Sequence, residues 1–141
     1  MAGYSGKPLS HKLGIKPGFR LLVVGPPKHY RSLLDPLPEG VSLRRSGEGP
    51  FDMIHLFATR SQTLAPELRR LDRIMPDNGM IWVSWPKKSS GAETDIDENT
   101  IRQVALKTGL VDVKVCAVDE TWSGLKLVRR LKDRQALRRS G

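Results

Sequence analysis

The sequence has little cysteine, few aromatic residues and no long hydrophobic run. Cys116 is the single cysteine among 141 residues, which excludes an intrachain disulfide and favours a reducing compartment. No apolar run approaches the ~20 residues that a membrane-spanning helix requires. The segment from Met1 to Lys7 also lacks the apolar stretch of a secretory signal. We therefore expect a cytoplasmic protein that does not enter a membrane.

Positive charge is what the chain has in excess. The formal net charge is +9, and the segment from Arg129 onward carries six basic residues against one acid. Such a tail can hold nucleic-acid phosphates through counterion release, but basic tails are also common solubilising ends. We expect residues 1–130 to form one domain, because a chain of this length supports a single core, and residues 131–141 to form a basic C-terminal tail.

Apolar runs alternate with helical patterns along the whole domain. Strands are predicted at 20–24, 41–43, 51–58, 80–85, 111–118 and 122–128, and helices at 8–14, 29–34, 64–75 and 95–108. This alternation predicts a small three-layer α/β sandwich with a mostly parallel sheet and right-handed crossovers. The tight connection from Asp119 to Thr121 predicts that the sheet ends in an antiparallel hairpin.

Two local details follow from the same patterns. Ser61 or Thr63 is expected to cap the third helix with its hydroxyl, and Asp95 to Glu98 reads as a capping-box-like start of the fourth. Simple alternation also predicts that the fifth strand points one set of side chains to the same side of the sheet: Val111, Val113, Val115 and Ala117.

The arrangement resembles the class I methyltransferase fold, a Rossmann-like architecture. The segment from Leu13 to Gly25 looks like that family's lead into its cofactor loop, and the segment from Met75 to Trp85 looks like its later strand. The resemblance implies S-adenosylmethionine as cofactor, but two features depart from it. Gly25 is followed by Pro26 and Pro27, which have no amide hydrogen to donate. Arg44 and Arg45 stand where that family carries the acid that holds the ribose.

A closer resemblance, spanning most of the chain, is to a family of small bacterial proteins of unknown function, DUF3052. It rests on three segments: Gly3 to Gly18, Trp82 to Gly91 and Gly109 to Lys126. The resemblance implies a bacterial origin and a standalone domain. It implies nothing about chemistry.

A ligand of such a sheet binds outside the carboxyl ends of the parallel strands. We predict that three polar segments converge there: the first around Tyr4, Ser5 and Lys7, the second from Lys87 and Lys88 to Ser89 and Ser90, and the third with Trp122, Ser123 and Lys126. Two lysines among hydroxyls and exposed amides could bind a phosphate or carboxylate. The alternative is a solvated loop, and the order of residues excludes a P-loop.

Other reactive residues have structural interpretations that we favour. Cys116 shares a strand face with Lys114, which could lower its pKa, but a small buried residue is the simpler reading. His55 fits a core histidine better than a base. Asp119 and Glu120 could act as acid and base, although adjacent turn acids are usually solvated. The spacing of His, Cys, Asp and Glu predicts no metal site.

These observations together favour a binding module over an enzyme. We expect an anionic small molecule or a protein as partner, no cofactor and no membrane contact. A divergent methyltransferase and a nucleic-acid-associated protein that uses the basic tail are the two alternatives. The sequence leaves the ligand and the oligomeric state open.

Overall fold

Six strands form one mixed sheet in a computed structural model that describes residues 7–130. The strands are β1 (Arg20–Val24), β2 (Ser42–Arg44), β3 (Met53–Phe57), β4 (Met80–Pro86), β5 (Leu110–Ala117) and β6 (Trp122–Arg129). Their order across the sheet is β2-β1-β3-β4-β6-β5, and β1 to β4 are parallel. Because β6 is antiparallel to both β4 and β5, β5 runs parallel to the first four. The predicted fold class is confirmed.

Helices cover both faces of the sheet. They are α1 (Leu9–Leu13), α2 (Tyr30–Leu34), α3 (Leu64–Asp72) and α4 (Glu98–Lys107). Side chains of α3 and α4 pack in one core cluster, and side chains of α1 and α2 pack in the other, so we call the two sides the α3/α4 face and the α1/α2 face. The chain therefore has the predicted three layers.

β4 is the central strand of this core, and its two tryptophans point to opposite faces as predicted. Trp82 is fully buried on the α1/α2 face, where its Nε1 donates to the carbonyl of Leu13 over 2.9 Å. Trp85 packs on the α3/α4 face. Both rings are thus used for packing, and truncating a buried side chain of this size typically costs about 3–5 kcal/mol.

The predicted alternation in β5 is wrong because the strand contains a bulge. The register with β6 shifts between Asp112 and Lys114, so this part of β5 has one residue more than the part of β6 that pairs with it. Val111 pairs with Val128, whereas Val115 pairs with Leu125 of the α3/α4 core. Directly paired residues share a face, so Val111 and Val115 point to opposite sides.

The predicted cap of α3 is also wrong, whereas that of α4 is correct in part. Ser61 and Thr63 lie in a turn of 3₁₀ helix before α3, and neither hydroxyl caps it. The Ser61 hydroxyl and amide both donate to Asp95, which ties the start of α3 to the loop before α4. At α4 it is Asp97 that accepts from the amide of Thr100 over 2.8 Å. Asp95, two residues before Asp97, therefore binds the segment before α3 and does not cap α4.

The helices of residues 7–130 are short. The longest, α4, has ten residues, and none in this part of the chain has the length and apolar character needed to cross a bilayer.

Candidate anion-binding site

The loops that follow β1, β2, β3 and β4 all leave the same edge of the sheet, because these strands are parallel. β5 has the same direction, so the turn between β5 and β6 lies at this carboxyl-end edge as well. The predicted meeting of the segment from Lys87 with the segment from Asp119 is therefore present. Tyr4 and Ser5 lie outside the described residues, and Lys7 is exposed just before α1.

Asp119 organises the half of this edge that β4, β5 and β6 supply, which we call the closed half. Its side chain is nearly buried, and Oδ1 accepts from the amides of Thr121 and Trp122 at 2.8 and 2.7 Å. Its Oδ2 lies 3.1 Å from Nε2 of His29, which brings the segment before α2 across to this turn. The carboxylate is thus occupied by the protein and is not poised as a general base.

Lys87 is also committed to this internal network. Its Nζ donates to the carbonyl of Asp119 over 2.8 Å, and its amide donates to the carbonyl of Thr121 over 2.8 Å. Lys87 therefore joins the loop after β4 to the turn after β5. One of the three N–H donors of the Lys87 ammonium group, which we predicted to hold a ligand, is therefore used within the protein.

The rest of the predicted loop is a turn of 3₁₀ helix, Lys88–Ser90, that ends at Gly91. The Ser90 hydroxyl donates to the carbonyl of Lys87 over 2.6 Å, whereas Lys88 and Ser89 are exposed. Lys88 lies near Asp97 and helps to lower the pKa of that carboxyl, which is lowered chiefly by the backbone amide of Thr100. The charge of Lys88 therefore interacts in part with Asp97.

The structure separates the three predicted residues of β6. Trp122 lies at the edge, where its ring meets Phe57 edge-on at 5.0 Å between centroids. Ser123 is paired within the sheet to Trp85 and Ala117. Lys126 lies in the middle of the strand opposite Trp82, away from the carboxyl-end edge. The predicted convergence thus includes Trp122 and Ser123 but not Lys126.

A buried chain of hydrogen bonds underlies the edge on the α1/α2 face. The Tyr30 hydroxyl lies 2.8 Å from Nδ1 of His55, and Nε2 of His55 lies 2.7 Å from the hydroxyl of Ser84. Burial lowers the pKa of His55 to about 3 and raises the pKa of Tyr30. Because both ring nitrogens are occupied and the ring has no exposure, His55 is a core histidine, as the sequence suggested.

A groove of about 290 Å³ opens in the other half of the edge, where β1 and β2 end. Its apolar walls are Val23, Pro26, Pro27, Leu43 and the ring of Tyr30. We call this the open half of the edge. Tyr30 contributes to it directly and is held in place by the buried bond to His55.

Four cationic side chains surround this groove: Lys28, Arg31, Arg44 and Arg45. All four are exposed, and within residues 7–130 none forms an ion pair. Four positive charges beside an apolar floor create a positive potential focused on one concavity. This arrangement makes the groove a candidate site for an anion.

Sequence reasoning found only half of this group. Arg44 and Arg45 were recognised as replacing an acid, but Lys28 and Arg31 were not assigned to a site. The available signal was their spacing: Lys28 directly follows Gly25-Pro26-Pro27, and Arg31 is in the first turn of α2. Both positions follow β1, and so they belong to the same edge as the residues that follow β2.

No cluster of three or more metal-ligating side chains occurs within residues 7–130. Cys116 is half-buried, and burial raises the pKa of its thiol even though Lys12 and Lys114 oppose that effect. The thiol is therefore not activated as a nucleophile, in agreement with the structural interpretation.

A family model described as "Protein of unknown function (DUF3052)" matches residues 54–131. No curated protein matches the sequence at a significant level.

Solved structures of methyltransferases share the fold. Ribosomal protein L11 methylase from Lactobacillus delbrueckii subsp. bulgaricus is 14% identical with a TM-score of 0.54, covering 86% of this chain and 75% of its own. Fibrillarin from Aeropyrum pernix is 12% identical with a TM-score of 0.61, covering 85% and 73%. A SAM dependent methyltransferase from Aquifex aeolicus is 14% identical with a TM-score of 0.58, covering 83% and 85%. Identities this low show the fold and not the activity.

The residues at the carboxyl-end edge do not fit S-adenosylmethionine. Pro26 and Pro27 remove amide donors from the loop after β1. Gly25 serves the close approach of this loop to β3, since a Cβ built on it would lie 3.1 Å from the carbonyl oxygen of Phe57. The strand β2 ends in arginines, which do not accept hydrogen bonds from ribose hydroxyls. The fold is that of methyltransferases, but these loops do not supply the cofactor's contacts.

Proposed function

This chain belongs to the DUF3052 family of proteins of unknown function, and we propose that it is a binding module for an anionic ligand. The observation that carries the proposal is the groove of the open half, with four cations at its rim and no ion pair among them within the described residues. The ligand binds between the ends of β1 and β2.

The chemistry of the rim favours a phosphorylated ligand. Arg31, Arg44 and Arg45 present planar guanidinium groups, which pair with phosphate oxygens through two parallel hydrogen bonds. Lys28 adds a compact charge at the entrance to α2. A group that carries two or more negative charges gains most from such a rim.

The apolar part of the groove limits the size and shape of that ligand. The rings of Pro26, Pro27 and Tyr30 offer flat surfaces beside the cations. A volume of about 290 Å³ lies at the lower end of small-molecule sites, which span roughly 300–1,000 Å³. The groove therefore suits a small phosphorylated metabolite or a mononucleotide better than a dinucleotide.

Calorimetric titration of two matched double variants tests the location and the chemistry. Arg44→Ala/Arg45→Ala removes two cations from the open half, and Lys87→Ala/Lys88→Ala removes two from the closed half. With ADP and inorganic pyrophosphate as probes, we expect at least a tenfold loss of affinity in the arginine variant and less than a twofold change in the lysine variant. S-adenosylmethionine serves as the comparison ligand and should give no saturable heat.

Two results contradict the proposal. Absence of saturable binding of both probes by the parent chain rejects an anion site in the groove. Loss of binding only in the lysine variant assigns the ligand to the loop after β4, as the sequence alone predicted. Saturable binding of S-adenosylmethionine at micromolar concentration instead supports a divergent methyltransferase.

A further inference from the structure

A second group of cations lies on the α1/α2 face, away from the groove. It consists of Lys12 on α1, Lys16 after α1, Lys114 on β5 and Lys126 on β6, and we call it the lysine cluster. Lys126 was predicted to join the carboxyl-end edge. In the structure its neighbours are instead other lysines on the α1/α2 face.

The strand register holds two of these lysines side by side. Lys114 and Lys126 are directly paired across β5 and β6, so they share a face with Cβ atoms about 5 Å apart. That face is the α1/α2 face, because Lys126 is also paired with Trp82. Two like charges in this position repel each other.

Contacts from α1 bring the other two lysines to the same place. Nζ of Lys12 donates to the carbonyl of Ala117 over 2.9 Å, and Nζ of Lys114 lies 3.4 Å from the carbonyl of Lys12. Lys16 lies close enough to Lys126 to affect its ionisation. The four lysines therefore lie on one part of the α1/α2 face, which α1, β5 and β6 form. Lys12 and Lys114 each use one of their three donors on a backbone carbonyl, as Lys87 does.

No acid within residues 7–130 forms an ion pair with the lysine cluster. Partial burial lowers the pKa of Lys126, and the charges of Lys114 and Lys16 lower it further. Lys126 is thus partly buried, has no ion-pair partner among residues 7–130 and lies near two like charges. An external anion of high charge density would remove this repulsion.

We propose that Lys12, Lys16, Lys114 and Lys126 form a second anion-binding site that takes a compact triphosphate group, which is free or borne by a nucleotide. The site is independent of the groove and contains no residue of its rim. Each phosphate of such a group brings one or more charges within a few ångströms, which matches lysines held on adjacent strands.

The composition of the cluster supports this ligand class. All four side chains are lysines, which bind phosphate as compact point charges and do not require the fixed bidentate geometry of arginine. An extended acidic peptide places the carboxylates of one face ~7 Å apart, about twice the rise per strand residue, and so spreads its charge along a line. The cluster is compact, and a polyphosphate concentrates its charge in the same way.

The test uses the full chain with the groove disabled by Arg44→Ala/Arg45→Ala. Inorganic triphosphate is titrated into this protein by calorimetry, and we expect one site per chain. Adding Lys114→Gln/Lys126→Gln should weaken binding at least tenfold. The matched control Lys107→Gln, which removes an exposed lysine from α4 on the opposite face, should leave affinity within twofold.

Thermal unfolding provides a second readout that does not depend on the groove. Lys126→Gln should raise the melting temperature in the absence of ligand, because it relieves the repulsion with Lys114 and Lys16. In the chain with the groove disabled by Arg44→Ala/Arg45→Ala, it should also abolish the further rise that triphosphate causes. A variant that lowers the melting temperature without ligand contradicts the proposed repulsion.

Separate titrations with ATP and with a single-stranded oligonucleotide identify the source of the phosphates. Binding of triphosphate and ATP with similar affinity supports the proposal. The proposal is overturned if the groove-disabled chain does not bind triphosphate, if Lys114→Gln/Lys126→Gln binds it unchanged, or if only the oligonucleotide binds. Loss of ADP binding at the groove does not change the result of this test, so each of the two proposed sites can be rejected without the other.

Discussion

Both halves of the carboxyl-end edge carry cationic side chains, but they use them differently. In the closed half, Lys87 donates to Asp119, and Asp119 accepts from Thr121, Trp122 and His29. In the open half, the four cations around the groove form no ion pair with any described residue. The first set of polar groups builds the structure, and the second set is available to a ligand.

The difference shows that the local sequence does not reveal whether a charge is available. The pair Lys87-Lys88, followed by serines and a glycine, has the composition of an anion-binding loop. Its hydrogen bonds are nevertheless made largely within the protein. The pair Arg44-Arg45 is also followed by a serine and a glycine, but it borders the groove and forms no ion pair with any described residue.

The largest effect is expected from opening the closed half at Asp119. Asp119→Ala removes the acceptor of two backbone amides in a nearly buried turn, and an unpaired buried donor costs ~1–3 kcal/mol. We expect the free energy of unfolding in urea to fall by about 2–4 kcal/mol.

Asp119→Asn is the control for that experiment, because its amide oxygen can still accept from both amides while the charge facing His29 is lost. Its cost should be less than half that of Asp119→Ala. Equal costs would show that the ion pair, and not the turn, holds the closed half together.

A second effect, of comparable size at low pH, concerns His55, which links Tyr30 of the open half to Ser84 of β4. The folded protein lowers its pKa to about 3, so the unfolded chain binds a proton more readily as the pH falls below about 6.5. The contribution of His55 to the free energy of unfolding should therefore be fully present above pH 7. It should be lost as the pH falls toward 4, by about 1.4 kcal/mol per pH unit. Urea unfolding at pH 7.5, 6, 5 and 4.5 measures this slope.

His55→Gln keeps a polar side chain that does not titrate, and it should remove most of the slope between pH 6 and 4.5 even if it lowers stability at pH 7.5. His11→Gln, which replaces an exposed histidine, should leave the slope unchanged. A slope that persists in His55→Gln would assign it to other groups.

The smallest effect distinguishes the two halves most directly. Lys87→Met removes a hydrogen bond to Asp119 and should cost about 1 kcal/mol of stability. Arg45→Met removes an exposed cation without an ion pair and should stay within about 0.5 kcal/mol of the parent. Equal losses in parallel urea titrations would mean that the cations of the open half are also structural.

Much of the fold could be predicted because the apolar runs are long and unambiguous. The strand from Met53 to Phe57 is buried at every position, which is the pattern of a central parallel strand. The bulge in β5 could not be predicted, because it depends on the pairing with β6 and not on the residues of β5 alone. The missed cap of α3 has a similar cause, since Ser61 finds a partner 34 residues away.

The site was less predictable than the fold. The carboxyl-end edge and the approach of Lys87 to Trp122 and Ser123 followed from strand direction alone. The position of Lys126 did not, because a residue four places along a strand lies ~13 Å from its start. The groove joins residues from two loops and a helix, and only the folded structure shows that Lys28 and Arg31 line the same groove as Arg44 and Arg45.

The strand order also bears on when the protein can fold during translation. β6 lies between β4 and β5, so β5 has no hydrogen-bonding partner until residues 122–129 have left the ribosome. The guanidinium of Arg129 then binds the carbonyls of Asp72 and Met75 at the end of α3. The first four strands can assemble on the nascent chain, but the turn at Asp119 and the lysine cluster form only after residue 129 has left the ribosome.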